Sequence, residues 1–161
     1  MRTPQPETFD ERELLLQWLQ FHRDALAFKC QGMDPDQMVV ASCPPSDLTL
    51  LGLVRHLTEM ERAYLVWALG GGNLQWVYCN DDDPEADIVG VTPAMAESAM
   101  AAWLSEREHS DRLIGEFGLD QIGPGNGYSL RWNLVKLIQE YARHNGHADL
   151  IRQAIDGAVG E

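Results

Sequence analysis

The stretch Glu140-Tyr141-Ala142-Arg143-His144-Asn145-Gly146-His147-Ala148-Asp149 places three potential metal ligands on one stripe of a long helix. On a period of 3.6 residues, Glu140, His144 and His147 lie one turn above another. Apolar residues continue the same line in both directions, so we expect the stripe to face the interior of a helical bundle. Buried imidazole and carboxylate groups need partners. A divalent metal or a network of hydrogen bonds would supply them.

Apolar residues recur with a helical period in four long segments of the chain. These segments run approximately over residues 9–31, 47–69, 93–117 and 129–156. Long connectors separate them, and one of these covers residues 70–91. The pattern predicts an all-α fold, a four-helix bundle with at least one crossover connection. A length of 161 residues suits one hydrophobic core, so we expect residues 1–161 to form a single domain.

Capping residues give the expected ends of these helices. Thr8 and Glu11 have the spacing of a capping box at the start of the first helix. Ser46 or Asp47 is expected to cap the second, and Thr92, which precedes a proline, to cap the third. Between the first two helices, Met38-Val39-Val40-Ala41 is expected to be a short extended piece.

The charge balance argues against several classes of partner. With 12 basic and 25 acidic residues, the net charge is −13, which repels phosphate backbones and anionic lipid. We therefore expect neither nucleic-acid nor membrane binding. Residues 1–6 lack the apolar core of a signal peptide, and the three cysteines have no Cys-x-x-Cys spacing. We expect a cytoplasmic protein without disulfides. Apolar residues in the connectors suggest a homodimer.

A third ligand from another helix would strengthen the metal hypothesis, and His56 offers one. It lies at the edge of the apolar stripe of the second helix, within Leu53-Val54-Arg55-His56-Leu57-Thr58-Glu59. Helical bundles build metal sites from inward side chains on facing helices. Three protein ligands with an open position are typical of a catalytic zinc site, and imidazole also suits nickel, copper or iron.

Two segments of the chain resemble the DinB superfamily of metal-binding four-helix bundles. They are Leu50-Leu51-Gly52-Leu53-Val54-Arg55-His56-Leu57-Thr58-Glu59 and Glu140-Tyr141-Ala142-Arg143-His144-Asn145-Gly146-His147-Ala148-Asp149-Leu150-Ile151-Arg152. The resemblance extends from about residue 10 to residue 157 and is closest to an actinobacterial branch of unknown function.

The resemblance implies a metal held by one residue of the second helix and two of the fourth. His56 corresponds to the first ligand and His147 to the last. The superfamily usually spaces the second pair by four residues, whereas His144 and His147 are three apart and Glu140 and His144 are four apart. We prefer His56, His144 and His147 as ligands, with Glu140 as a fourth ligand or a supporting partner. The alternative takes Glu140 and His144 as the pair.

The resemblance also implies an activity. Some members of the superfamily are thiol S-transferases or isomerases that use mycothiol or bacillithiol. We therefore expect a metal-dependent S-transferase that carries zinc or nickel and joins mycothiol to an electrophilic small molecule. Two alternatives stay open: a non-catalytic binding or stress-response module with structural histidines, and a metal-dependent hydrolase. The hydrolase needs a general base, for which Glu140 and Glu59 are the candidates.

Overall fold

The computed structural model describes residues 3–159, and its regular elements are helical. The helices are α1 (Glu11–Cys30), α2 (Pro35–Met38), α3 (Leu50–Glu61), α4 (Ala68–Gly70), α5 (Ala96–Glu116) and α6 (Leu130–Asp156). A π-helical turn, Arg62–Trp67, joins α3 to α4, and a 3-10 turn, Pro93–Met95, leads into α5. The prediction of an all-α bundle is confirmed. Residues 1 and 2, part of the segment expected to lack a signal peptide, and residues 160 and 161 of the expected domain lie outside the described residues.

Two predicted helix starts are wrong because another residue makes the cap. At α1, Asp10 accepts a hydrogen bond from the backbone N–H of Glu13, while the Thr8 hydroxyl donates to the Glu13 carboxylate instead. At α3, the Thr49 hydroxyl accepts from the backbone N–H of Gly52, so the helix begins at Leu50 and not near residue 47. In each case the structure uses a polar side chain close to the apolar stripe.

Two further local predictions are wrong. Thr92 stands at the predicted boundary, but its hydroxyl makes no capping bond, and Pro93 opens a 3-10 turn. The extended piece expected from Met38 does not begin there, because Met38 closes the short helix α2 and Val39 caps it. That helix is specified by a capping box between Asp34 and Gln37 and by Pro35 at its first position.

Contacts near the ends of the helices show the relative directions of the helices in the bundle. Arg131 at the start of α6 pairs with Glu11 at the start of α1, so these two helices are parallel. Arg62 after α3 pairs with Glu106 of α5. About two turns earlier, Arg55 contacts Met95, which precedes α5, so α3 and α5 are parallel as well. The connection between α3 and α5 must therefore return along the whole bundle. Residues 71–92 are this crossover, as the sequence predicted.

A buried polar network joins all four long helical segments. Both Glu61 carboxylate oxygens accept hydrogen bonds of 2.7 Å from the guanidinium of Arg23. The Tyr141 hydroxyl donates to Glu61 at 2.8 Å and accepts from the indole N–H of Trp103 at 2.8 Å. None of these four side chains is more than 2% exposed. Each belongs to a different segment, so the network fixes how the helices are aligned along the bundle.

The crossover is docked on α3 by two features. The buried carboxylate of Glu59 accepts hydrogen bonds from three successive backbone N–H groups, those of residues 77–79, at 2.6–3.0 Å. One turn before the predicted ligand His56, Gly52 allows the Ile88 carbonyl to approach, because a Cβ at position 52 would lie 2.5 Å from that oxygen. The crossover therefore lies against the face of α3 that carries His56.

Among the helices described in residues 3–159, none combines the length and the hydropathy of a membrane span.

Candidate metal centre

The structure brings His56 of α3 together with Glu140 and His144 of α6. One ligand atom from each of the three lies within 4.8 Å of the others. Glu140 and His144 are four residues apart on α6, so they share one face of the helix, and both are buried. His56 is half-buried, and its ring centroid lies 4.6 Å from that of His144. Two antiparallel helices thus meet at a cluster of two imidazoles and a carboxylate.

Asp87, a residue of the crossover, holds the His56 ring. Nδ1 of His56 lies 2.7 Å from Oδ2 of Asp87, which leaves Nε2 for another partner. Asp87 is buried, and burial alone would raise its pKa. Its bond with His56, the charge of that ring and a hydrogen bond with Cys79 outweigh burial and lower the pKa of Asp87 below its ordinary value. The carboxylate therefore stays ionised beside the ring that it orients.

Glu140 is shared between Lys136 and His144. Lys136, one turn earlier on α6, pairs with Oε1 of Glu140, while Oε2 lies 3.6 Å from Nε2 of His144. Burial tends to raise the pKa of Glu140, but Lys136 and the two neighbouring imidazoles together lower it. Glu140 therefore presents a carboxylate to the cluster and not a carboxylic acid.

His144 is kept neutral by its surroundings. Burial, followed by the neighbouring imidazoles of His56 and His147, lowers the pKa of His144 to about 4 although Glu140 opposes the shift. A neutral ring has a lone pair for a metal at physiological pH. Nε2 faces Glu140, and Nδ1 lies 3.3 Å from Nδ1 of His147.

His147 lies beside the cluster and not within it. Within residues 3–159, the group of possible ligands that lie close together contains His56, Glu140 and His144. His147 is half-buried and contacts His144 on the side away from Glu140. Of the four ligands expected from the sequence, the structure therefore gathers three and places the fourth behind one of them.

The donor set suits a divalent transition metal. Two imidazoles and one carboxylate are a known catalytic zinc combination, in which the remaining position takes water or substrate. Both rings also have a second polar contact through Nδ1, and such contacts orient histidine ligands and increase their basicity. His56, Glu140 and His144 would hold the ion. Asp87 and His147 would support them.

Three side chains position the site in ways that were not expected from the sequence. Asp87 lies in an acidic connector without periodicity, so no local signal marks it as the partner of His56. Lys136 lies four residues before Glu140, a spacing that does predict a helical ion pair. Glu59 is a candidate general base from the sequence, but in the structure its carboxylate accepts hydrogen bonds from three backbone N–H groups. Its role in the structure is to dock the crossover.

The fold and the cluster agree with a comparison of the sequence with family models. The model described as MST, mycothiol-S-transferase, matches residues 14–157. This family is part of the DinB-like superfamily, so the resemblance inferred from the helix motifs is confirmed. No curated protein matches the sequence. Because the match covers most of the chain, the protein belongs to the mycothiol-S-transferase family.

Proposed function

We propose that this protein is a metal-dependent enzyme that joins mycothiol, through its sulfur, to an electrophilic small molecule. Membership of the mycothiol-S-transferase family supports the thiol and the reaction class. The observation that carries the metal dependence is the cluster of His56, Glu140 and His144, with ligand atoms within 4.8 Å. Zinc or nickel suits this donor set, because both accept imidazole nitrogen and carboxylate oxygen.

We propose His56, Glu140 and His144 as the ligands, with His147 as the partner that orients His144. The short separations within the first three support this assignment. The contact between the two Nδ1 atoms of His144 and His147 supports the role of His147. The alternative is the set expected from the sequence, in which His147 itself is a ligand. Substitution of each residue in turn distinguishes the two arrangements.

A bound divalent metal would lower the pKa of a coordinating thiol, which makes the sulfur a nucleophile near neutral pH. A mycothiol sulfur activated in this way would form a C–S bond with the electrophilic carbon. The leaving group would depart with the electrons of the broken bond, and the thiol proton would pass to solvent. Asp87 keeps His56 in one orientation, and Lys136 holds one oxygen of Glu140. Both contacts fix the ligands before substrate binds.

The other two activities receive less support. A hydrolase needs a general base beside the metal, and Glu59 is committed to the backbone of residues 77–79. A structural role for the histidines is compatible with the Asp87 and His147 contacts. It offers no reason, however, for two imidazoles, one of them buried, and a buried carboxylate to converge at one point.

We also propose the broader properties of the protein. A single domain over residues 1–161 is supported by a core to which α1, α3, α5 and α6 all contribute. A cytoplasmic location is supported by membership of a family that acts on a small-molecule thiol. The net charge of −13 supports the absence of nucleic-acid partners. A homodimer is supported by exposed apolar residues on α6, among them Val135 and Leu150, and light scattering tests it.

The deciding experiment uses untagged protein, so that added histidines cannot bind metal. We expect elemental analysis to find about one zinc or nickel ion per chain. The loaded protein should conjugate mycothiol to an aromatic electrophile, the chelated protein should be inactive, and added metal should restore the rate. A rate no higher than that of the uncatalysed thiol, across several electrophiles, would overturn the proposal.

A further inference from the structure

A cavity of about 460 Å³ lies beside the metal cluster, between α3 and the crossover. His56 forms part of its wall, and so does Asp87. The cavity does not include Glu140 or His144, so it extends outward from the His56 side of the cluster. Its volume is within the range of sites that bind small molecules. A substrate whose thiol reached the cluster would place the rest of its structure here.

The lining of the cavity indicates the chemistry of its ligand. The carboxylates of Asp81 and Glu85 are exposed in its wall, beside the amide of Asn80. Trp76 contributes an indole that is 42% exposed. Carboxylates accept hydrogen bonds from hydroxyl groups, and a partly exposed indole can cover the apolar face of a sugar ring. No lysine or arginine is found among the lining residues in this part of the described chain.

The absence of lysine and arginine from the described cavity wall favours a neutral thiol over an anionic one. Mycothiol carries its cysteine on a glucosamine joined to inositol, a neutral group rich in hydroxyls. Glutathione carries two carboxylates, which the acidic wall would repel. We propose that this cavity binds the glucosaminyl-inositol part of mycothiol, with Trp76 against a ring face and Asp81 and Glu85 accepting from its hydroxyls. This inference rests on the proposed function and names the part of the site that selects the thiol.

The wall is fixed before any ligand arrives. Glu59 anchors the backbone of residues 77–79, which directly follow Trp76. Asn80 accepts hydrogen bonds of 3.0 Å from the backbone N–H groups of Asp82 and Asp83, which shapes the turn that carries Asp81. A preformed wall lowers the entropic cost of binding a polar ligand.

The kinetic test compares mycothiol with N-acetylcysteine, which has the same thiol without the sugar. In Trp76→Ala, we expect the ratio of kcat/KM for mycothiol to that for N-acetylcysteine to fall about tenfold, mainly through KM. Trp132→Ala removes an exposed indole that does not line the cavity and should keep the ratio. The double variant Asp81→Asn/Glu85→Gln should lower the preference for mycothiol over glutathione, whereas Asp83→Asn should not.

A binding test needs no activity. Thiol-free N-acetylglucosaminyl-inositol, whose acetylated nitrogen is neutral as it is in mycothiol, should bind the full-length protein in calorimetry, and Trp76→Ala should weaken this binding about tenfold. If mycothiol is conjugated but neither the kcat/KM ratio nor the binding changes in the Trp76 and carboxylate variants, the inference is wrong and the proposed function stands. If no thiol is conjugated but N-acetylglucosaminyl-inositol binds through Trp76, the cavity is assigned correctly and the proposed function fails.

Discussion

Nδ1 of His56 lies 2.7 Å from Oδ2 of Asp87, although the two residues are 31 positions apart. The contact joins α3 to the crossover at the metal cluster. It fixes the ring of one proposed ligand and, through Asp87, ties the same ring to a wall of the cavity. The metal cluster and the cavity wall are therefore linked by this hydrogen bond. We expect changes to the crossover to alter the affinity for the metal.

Asp87→Asn tests this connection. The amide can still accept a hydrogen bond, but it lacks the charge that increases the basicity of His56. We expect metal affinity to fall by about tenfold, within the range found for such partners. Competition with a chelator measures it, and circular dichroism checks the fold. Asp83→Asn, in the same loop, is the matched control, and an equal loss in both variants would contradict the role of Asp87.

The ligand set is tested by three substitutions on α6. Because His144 is proposed as a ligand, His144→Ala should abolish stoichiometric binding. His147→Ala should weaken binding by only about 10- to 100-fold, since it removes a supporting contact. Glu140→Gln should weaken binding more than His147→Ala does. His109→Ala on α5 is the control. If His147→Ala loses the metal while Glu140→Gln keeps it, His147 is a ligand and our assignment is wrong.

Gly52→Ala separates helix stability from docking of the crossover. Alanine within a helix is usually more stable than glycine by about 0.5–1 kcal/mol. At position 52, however, the new Cβ would lie 2.5 Å from the Ile88 carbonyl. We expect lower stability and weaker metal binding, because the crossover must move away from His56. Gly146 is an exposed helical position, where an added Cβ would meet no atom within 4 Å beyond its own stretch of helix. Gly146→Ala should therefore increase the melting temperature. Equal gains in both variants would contradict the close approach.

Arg23→Met tests the buried network. The change leaves the carboxylate of Glu61 buried without its charged partner, which costs about 3–5 kcal/mol in comparable cases. Urea unfolding should therefore show a large loss of stability, or no folded protein. Arg112→Met on the exposed face of α5 should change stability by no more than about 0.5 kcal/mol. A small effect at Arg23 would show that the network contributes little to the fold.

Cys79 provides a test of pH dependence. Burial, with further effects from the carboxylates of Asp87 and Glu59, raises the pKa of the Cys79 thiol to about 11. A raised pKa keeps the thiol protonated, so its alkylation rate should still increase about tenfold per pH unit between pH 8 and 10. Peptide mapping by mass spectrometry follows the site, with Cys30, whose pKa is raised to about 12 by burial, as the unreactive control. A plateau below pH 9 would contradict the assigned environment.

The sequence predicts the parts of this molecule that depend on local periodicity. Helix α6 and the buried Glu140 and His144 follow from residues spaced by three and four positions, and the crossover follows from a long connector between helices. His56 was identified by its apolar surroundings and by the family resemblance. Asp87 could not be found, because its partner lies 31 residues away and nothing periodic links them. The grouping of Glu140 with His56 and His144 could not be decided from the sequence either, because three- and four-residue spacings both fit one helical face.

Glu59 holds the crossover through main-chain N–H groups and not through side chains. Residues 77–79 can therefore exchange their side chains over evolutionary time without losing this attachment, provided that none becomes proline. Related chains can thus vary this part of the crossover, in which Cys79 lines the cavity, while keeping the same scaffold. Divergence at these positions among related chains would mark a change of substrate range before it marked a change of fold.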